Sequence, residues 1–221
     1  EGEAAIMPVR IRSRNGVTEA QAKELVIEAR TIAARYPNDA AVLAALAEAE
    51  FDADQGDAAI AAADAAIARD PKQVNAYVQK GFALFRKAAD ADDKKAAYRA
   101  ALVPFTDLYK IENDHPLPLI YFYMSYTQRG VPPTPTAISA LARASELAPF
   151  DLGLRGMKAF QEIRDKKIEE AIFDLAPLAY NPHGGKQADR MRALMDQLKA
   201  GKIPDQFDVG NYDFDKGEEG E

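Results

Sequence analysis

Hydrophobic residues recur at helical spacing along most of this chain. Within residues 18–36, Leu25, Ala29 and Ile32 fall on one stripe of a helix, whereas Glu28 lies away from it. The segment begins with the sequence TEAQ, which has the form of a capping box. No segment shows the sustained alternation of hydrophobic and polar residues that marks a half-buried β-strand. The pattern therefore predicts an all-α fold.

Five short phrases that resemble one another recur along the chain at a nearly constant interval. Three of the four steps between them are 33 or 34 residues long, and the remaining step is 45 residues. A period of about 34 residues is typical of a helix–turn–helix repeat. The longer step predicts an insertion in the second interval. The phrases are AARYPND, IARDPKQ, ENDHPLP, ELAPFDL and LAYNPHG, with prolines Pro37, Pro71, Pro116, Pro149 and Pro182.

A small residue stands near the middle of the first helix in each interval. Ala47, Gly81 and Ala159 lie ten positions after a phrase proline, and Ser125 lies one position early in the third interval. The distance between packed helices depends on the side chains at their contact, so small residues permit a close approach. These positions therefore predict pairs of closely packed helices.

Polar breaks separate the two helices of each interval. The sequence QGD at 55–57 predicts Asp57 as the N-cap of a second helix, and RDKK at 164–167 predicts Asp165 in the same role. In RGVPPTPT at 129–136, Thr134 is the predicted N-cap and Pro135 occupies the first helical position. Each break therefore indicates a helical hairpin.

The hairpins resemble tetratricopeptide repeats (TPRs), most clearly in AYVQKGFALFRKA (76–88) and DAAIAAADAAIARDPKQ (57–73). No unit has the Trp that usually begins the first helix of a TPR. The resemblance implies a right-handed superhelical array of antiparallel helix pairs over residues 18–182. The predicted layout is an extended lead-in at 1–17, an unpaired helix at 18–36, helix pairs at 39–69, 73–112, 117–147 and 151–180, a capping helix at 186–201 and an acidic flexible tail at 203–221.

Little in the sequence indicates catalysis. Cysteine is absent, and His115 and His183 stand 68 residues apart without the H-E-x-x-H spacing of zinc hydrolases. DADQGD at 52–57 has its glycine one place early for a calcium loop, and the Gly-Gly pair at 184–185 lacks the rest of a phosphate-binding motif. We therefore predict no catalytic residues, no metal and no cofactor in this chain.

The charge of the chain is concentrated at its C-terminal end. The net charge is −7, and residues 205–221 contribute −6 of it. The remainder is too nearly neutral for a broad basic surface, so we predict no nucleic-acid binding. No apolar run reaches the roughly 20 residues that cross a bilayer, so we predict no membrane insertion. As a hypothesis, the tail binds back to Lys158, Lys186 and Arg190.

The TPR resemblance also implies a groove that binds a protein or peptide partner. Aromatic and arginine side chains dominate such binding, because they combine rigid apolar area with bidentate recognition of carboxylates. The alternative for several of the aromatics is that they fill the helix–helix core. The residues that the resemblance places in the groove are Asn75, Val78, Phe82, Phe85, Arg86, Leu119, Phe122, Tyr126, Arg129 and Arg155.

A second interpretation concerns a larger protein. ASELAPFDLGLR, LAYNPHGG and a start without Met are similar to the C-terminal TPR region of bacterial envelope proteins with a metallopeptidase-like domain upstream. On this interpretation, sequence before Glu1 has been removed, and the repeats are a substrate-docking or packing accessory. The upstream domain is then a partner, and the location is the bacterial periplasm or envelope.

Overall fold

The computed structural model describes residues 1–13 and 16–203, and its regular secondary structure is helical throughout these ranges. The prediction of an all-α fold is confirmed. Nearly all of the predicted acidic tail, residues 204–221, lies outside the described residues. No described helix has the length and apolar character needed to cross a membrane. The helices are α1 (Gly2–Ser13), α2 (Glu19–Arg35), α3 (Ala40–Asp52), α4 (Gly56–Arg69), α5 (Val74–Ala89), α6 (Lys94–Ile111), α7 (Pro116–Thr127), α8 (Pro135–Leu147), α9 (Leu152–Arg164), α10 (Ile168–Ala179) and α11 (Gly185–Lys199).

Side-chain caps fix several of the helix starts. At α2, the amide of Gln21 donates to Thr18 Oγ1 at 3.3 Å while the Thr18 amide donates to Gln21 Oε1 at 2.8 Å, which confirms the capping box. Thr134 caps α8, with Pro135 as its first residue, as predicted. His115 caps α7 through Nδ1, which accepts from the Leu117 amide at 3.3 Å.

Two predicted caps are wrong. α4 begins at Gly56 with Gln55 as its N-cap, so Asp57 lies inside the first turn, where a carboxylate still interacts favourably with the helix N-terminus. Asp165 ends α9 as its C-cap, whereas Lys167 precedes α10. In both turns the chain reverses through a residue with positive φ, Asp54 at 60° and Lys166 at 61°.

The helices form two compact units, Glu1–Asp114 and the part from His115 onward. Unit 1 consists of the hairpins α1/α2, α3/α4 and α5/α6, in which α3 packs against both α1 and α5. Unit 2 consists of α7/α8, α9/α10 and α11, which packs on α10.

The N-terminal segment is a helix, so the predicted extended lead-in is wrong. Ile6 and Val9 of α1 are fully buried in one cluster with residues of α2 and α3. Arg10 lies 3.5 Å from Glu48, and the hydroxyl of Ser13 donates to Asp52, so α1 runs alongside α3 in the same direction. The helix at 18–36 is consequently paired with α1. The sequence pattern missed α1 because Pro8 interrupts it.

Small side chains let the helices of unit 1 approach closely. Ala44, Ala47, Ala63 and Ala76 are buried together between α3, α4 and α5. At Gly81 of α5, a Cβ atom would lie 2.5 Å from Cε2 of Phe105 in α6. The prediction of close packing at position 81 is therefore confirmed.

The core of unit 2 uses larger side chains. Tyr123, Leu141 and Leu154 are fully buried between α7, α8 and α9. A second cluster joins Phe160 of α9 to α10 and to Met191 of α11. The opposite side of α11 is exposed to solvent.

Candidate functional site

In unit 1, five side chains meet where α3 and α5 lie side by side. The three on α5 are predicted groove residues, and the two on α3 are not. We call this surface the α3–α5 seam; its residues are Glu48, Phe51, Asn75, Phe82 and Arg86. Asn75 Nδ2 donates to Glu48 Oε2 at 3.1 Å, and the rings of Phe51 and Phe82 lie 5.8 Å apart. Both phenylalanines are half-buried, so part of each ring reaches solvent.

Arg86 is held over the aromatic part of the seam. Its guanidinium carbon lies 3.7 Å from the centroid of the Phe51 ring. Nη1 donates to the carbonyl oxygen of Phe51 at 3.1 Å and to Asp54 Oδ1 at 2.9 Å. The side chain is nevertheless 45% exposed. The ring and the two acceptors fix the orientation of the guanidinium group, while several of its N–H donors remain accessible to solvent.

Two buried polar atoms beside the seam have no hydrogen-bond partner in the described structure, although one of them, Arg10 Nε, lies 3.5 Å from Glu48 Oε2. Gln79 Nε2 donates to Asn75 Oδ1 at 3.3 Å, but Gln79 Oε1 and Arg10 Nε are buried and lack a hydrogen-bond partner in the described structure. Unpaired buried polar atoms cost about 1–3 kcal/mol each.

Two of the predicted groove residues on α5 belong to the core. The Phe85 ring lies 5.0 Å from Tyr98 and 6.0 Å from Phe105, and the residue is buried. Val78 is buried as well. Neither side chain is therefore exposed for binding in this structure, and for Phe85 the cover is α6.

In unit 2, three predicted residues of α7 and the turn after it lie together. The rings of Phe122 and Tyr126 meet edge to face at 5.7 Å, and the Arg129 guanidinium carbon lies 5.0 Å from the Tyr126 centroid. Arg129 Nε also donates to the Ser125 carbonyl at 2.5 Å. All three side chains are half-buried, and Leu119 packs into the adjoining core cluster. We call Phe122, Tyr126 and Arg129 the α7 cluster.

Arg155 points to α10 rather than to the α7 cluster. Its Nη2 donates to Asp174 Oδ1 at 3.1 Å, and its guanidinium carbon lies 5.7 Å from the centroid of the Phe173 ring. Lys158 Nζ donates to Asp174 Oδ2 at 2.5 Å and lies 3.1 Å from Glu162 Oε1. Lys158, which we proposed as a tail contact, is thus already ion-paired inside the unit.

Burial changes the acid–base properties of this part of unit 2. Burial raises the pKa of Glu162, and the adjacent Lys158 offsets the effect in part. For Lys158, burial lowers the pKa, but hydrogen bonds to Asp174 and Glu162 outweigh it, and the net change is upward. Burial also raises the pKa of Tyr123 to about 12, and its hydroxyl donates to Gln161 Oε1 at 2.8 Å, which joins α7 to α9.

Both histidines stand in turns between helices. His115 serves as the cap of α7, and the amide of His183 donates to Asn181 Oδ1 at 3.0 Å in a turn. Among the described residues, no three His, Asp or Glu side chains come together in a way that could hold a metal ion.

Solved structures with a similar arrangement of helices identify the fold of this chain. The crystal structure of TTC0263, a thermophilic TPR protein of Thermus thermophilus, aligns at a TM-score of 0.67 with 16% identity, over 90% of this chain and 100% of that one. The chain has the TPR fold. A crystal structure of MamA aligns at 0.54 with 16% identity over 82% of this chain and 92% of that one. MamA of Desulfovibrio magneticus RS-1 aligns at 0.53 with 14% identity, over 90% and 98%.

The sequence by itself matches no protein-family model and no curated protein. The TPR fold therefore rests on the order and packing of the helices. Similarity to envelope proteins with a metallopeptidase-like domain stays a hypothesis.

Within the TPR fold, the first helices of the hairpins are α1, α3 and α5 in unit 1 and α7 and α9 in unit 2. The ten predicted groove residues all lie on α5, α7 and α9 or in the turn that follows α7. Sequence reasoning missed Glu48 and Phe51 on α3, although the proline register offered a signal. Glu48 stands eleven positions after Pro37, as Phe82 does after Pro71.

Proposed function

We propose that this chain is a non-catalytic TPR scaffold that binds a segment of a partner protein along the first helices of its hairpins. The observation that carries the proposal is Arg86, held over Phe51 beside Phe82 with its donor edge open to solvent. Arginine and aromatic side chains are enriched at protein interfaces, and several of them are enriched among the few residues that contribute most to binding.

A carboxylate of the partner is the group that Arg86 is suited to bind. Its present acceptor, Asp54, is 85% exposed, so this ion pair contributes little to stability and can be exchanged at low cost. The half-buried faces of Phe51 and Phe82 would bury further apolar area next to that contact. We therefore propose a partner segment with an acidic residue beside an apolar one.

The α7 cluster supports a second contact, within unit 2. Arg129 stands over Tyr126, which in turn packs on Phe122, so the same combination of chemistry recurs. Leu119 lies one turn before Phe122 and supplies apolar surface. Arg155 is bound to Asp174, and its proposed role is limited to the part of its guanidinium that remains exposed.

The unit 1 site is tested with Arg86→Ala against the neighbouring control Lys87→Ala. Lys87 is exposed and paired with Asp57, so the two variants remove one charge and one ion pair each from the same turn of α5. Proteins retained by the immobilised chain are quantified by mass spectrometry, and the affinity of each retained protein is then measured with purified components. We expect Arg86→Ala to weaken binding at least tenfold, about 1.4 kcal/mol, and Lys87→Ala to leave it unchanged.

The unit 2 site is tested in the same way with Arg129→Ala against Arg143→Ala. Arg143 is exposed and paired with Glu146, away from the α7 cluster. If folded Arg86→Ala and Arg129→Ala proteins both retain every partner at wild-type affinity, the proposed function is wrong. Equal losses in the control variants would indicate a non-specific effect of charge and would also contradict it.

A further inference from the structure

Charge is divided unevenly between the parts of this chain. Residues 1–114 carry 15 basic and 19 acidic side chains, for a net charge of −4. Residues 115–203 carry 12 basic and 9 acidic side chains, for a net charge of +3, whereas residues 204–221 carry one basic and seven acidic ones, for −6. Unit 2 thus has a positively charged body joined directly to the most acidic segment of the sequence.

Four lysines of unit 2 lie at one end of the unit, whereas the exposed Arg190 lies near the opposite end, early in α11. Short turns join α9 to α10 and α10 to α11, so neighbouring helices run in opposite directions. The α9–α10 turn and the C-terminal end of α11 consequently lie at the same end of the unit. Lys166 and Lys167 stand in that turn, and Lys199 and Lys202 stand at the end of α11.

We call these four lysines the basic end of unit 2. All four are exposed, and none forms a side-chain ion pair within the described residues. Four acids stand close to these lysines in the sequence. Asp165 precedes Lys166 in the turn, and Asp196 lies one turn before Lys199. Glu169 and Glu170 lie in the first turn of α10, where the helix N-terminus accommodates their charge. None of these acids forms an ion pair with the four lysines within the described residues, so the ammonium groups are available to an acidic ligand.

An exposed aromatic residue lies on the helix that follows Lys167. Phe173 of α10 is 71% exposed, and Arg155 stands beside its ring. It is the sixth of the twelve residues of α10, about 8 Å along the helix axis from the start of α10, which follows Lys167. A ligand with both carboxylates and aromatic rings could use the lysines and Phe173 together.

We propose that the acidic segment Asp205–Asp215 of this chain binds to the basic end of unit 2 and to Phe173. The segment contains Asp205, Asp208, Asp213 and Asp215 interleaved with Phe207, Tyr212 and Phe214. It begins two residues after Ile203, the residue that follows Lys202, and eleven residues can span about 36 Å. Such a short connection gives the segment a local concentration on the order of millimolar, so weak contacts suffice to hold it.

Paramagnetic relaxation measured by NMR tests the contact in the full chain. The sequence has no cysteine, so Gly210→Cys provides a single attachment point for a nitroxide label. We expect broadening of the amide signals near Lys166, Lys167 and Lys199 at 0.05 M salt. We expect at least half of that broadening to disappear at 0.5 M salt, because screening shortens the Debye length to about 4 Å.

Charge-reversal variants separate the proposed surface from general electrostatics. A fourfold variant of the basic end should abolish the broadening; it combines Lys166→Glu, Lys167→Glu, Lys199→Glu and Lys202→Glu. The matched control reverses four exposed basic residues of unit 1 that form no ion pair within the described residues, and it should leave the broadening unchanged. The control positions are Lys72, Lys94, Lys95 and Arg99.

A variant confined to the segment keeps the test decisive even if charge reversal harms unit 2. Replacing Asp208, Asp213 and Asp215 by Asn leaves the helices untouched, and it should remove most of the broadening. A sample that mixes labelled chain with unlabelled, isotope-enriched chain should show none. Broadening that is absent, insensitive to salt, equal in the two charge-reversed proteins, or present in the mixed sample would overturn the proposal.

Discussion

Arg30 of α2 and Glu50 of α3 form a bidentate ion pair that ties the second helix to the third. Nε donates to Oε1 and Nη2 to Oε2, both at 2.6 Å. Only 5% of the Glu50 side chain is exposed, whereas half of the Arg30 side chain reaches solvent. The hydrogen bond and the charge of Glu50 raise the pKa of Arg30. The pair thus compensates a carboxylate that is buried against the core of unit 1.

Arg30→Ala should lower the free energy of unfolding by about 2 kcal/mol, because it leaves the buried Glu50 carboxylate without its partner. The loss should fall below the 3–5 kcal/mol typical of fully buried pairs, since the guanidinium is half exposed. The measurement is urea-induced unfolding followed by circular dichroism. Arg12→Ala is the control. Both side chains of its ion pair with Glu28 are exposed, so this pair should contribute less than about 1 kcal/mol to the free energy of unfolding. Equal losses in the two variants would contradict the assignment.

Ile6→Ala tests whether α1 is part of the folded unit. Ile6 is fully buried, so its truncation should cost about 3 kcal/mol through lost burial and the cavity left behind. Ile11→Ala on the same helix is the control: its side chain is 55% exposed, and its loss should change stability by less than about 0.5 kcal/mol. Chemical denaturation of both variants gives the comparison, and a neutral Ile6→Ala would mean that the N-terminal segment does not pack on α3.

Gly81→Ala sets helix propensity against close packing. Alanine is favoured over glycine inside a helix by about 1 kcal/mol, but the added methyl group would press on the buried ring of Phe105. Overpacking typically costs about 1–3 kcal/mol, so we expect a net loss of stability. Gly56→Ala, at a position where a Cβ atom meets nothing within 4 Å, should be neutral or stabilising. Thermal unfolding distinguishes the two, and a stabilised Gly81→Ala protein would show that Phe105 moves aside freely.

Glu162 should make the stability of unit 2 depend on pH. Burial raises its pKa in the folded protein above the ordinary value of 4.5, so the folded state binds this proton more tightly than the unfolded state. The stability that Glu162 contributes is therefore complete below pH 4.5 and declines as the pH rises through the folded-state pKa. Glu162→Gln removes the decline, so it should raise the melting temperature more at about pH 7 than at about pH 4.

The control for this titration is Glu170→Gln. Glu170 is exposed in the first turn of α10, where a carboxylate interacts favourably with the helix N-terminus. Neutralising it should lower stability at about pH 7 by a few tenths of a kcal/mol, about the value of such an interaction. A Glu162→Gln protein that instead loses stability as the pH rises from about 4 to about 7, relative to the wild type, would show that the Lys158 pair outweighs burial.

Local sequence signals carried most of the helical architecture. The periodic stripes, the capping box at Thr18 and the Thr134–Pro135 start act within one or two helical turns, and such interactions operate whatever the rest of the chain does. The proline spacing and the small residue at Gly81 added the pairing of helices. The sequence pattern did not predict α1, because Pro8 interrupts the periodicity of this helix. The helix is recognised only from the burial of Ile6 and Val9 against α2 and α3.

The candidate surface was less accessible to sequence reasoning, because it depends on which neighbour covers each face of a helix. Phe82 and Phe85 are three residues apart and point about 60° away from each other on α5. Phe105 of α6 contacts both rings, but Tyr98 of α6 also packs on Phe85, which is buried, whereas Phe82 meets Phe51 of α3 and stays half-buried on the seam. Likewise, only the approach of α10 turned Arg155 to Asp174. Apart from α1, its pairing with α2 and the starts of α4 and α10, the sequence determined where helices begin, end and pair, through local hydrogen bonds and periodicity. The tertiary structure decided which side chains remain exposed, because burial is set by residues far away along the chain.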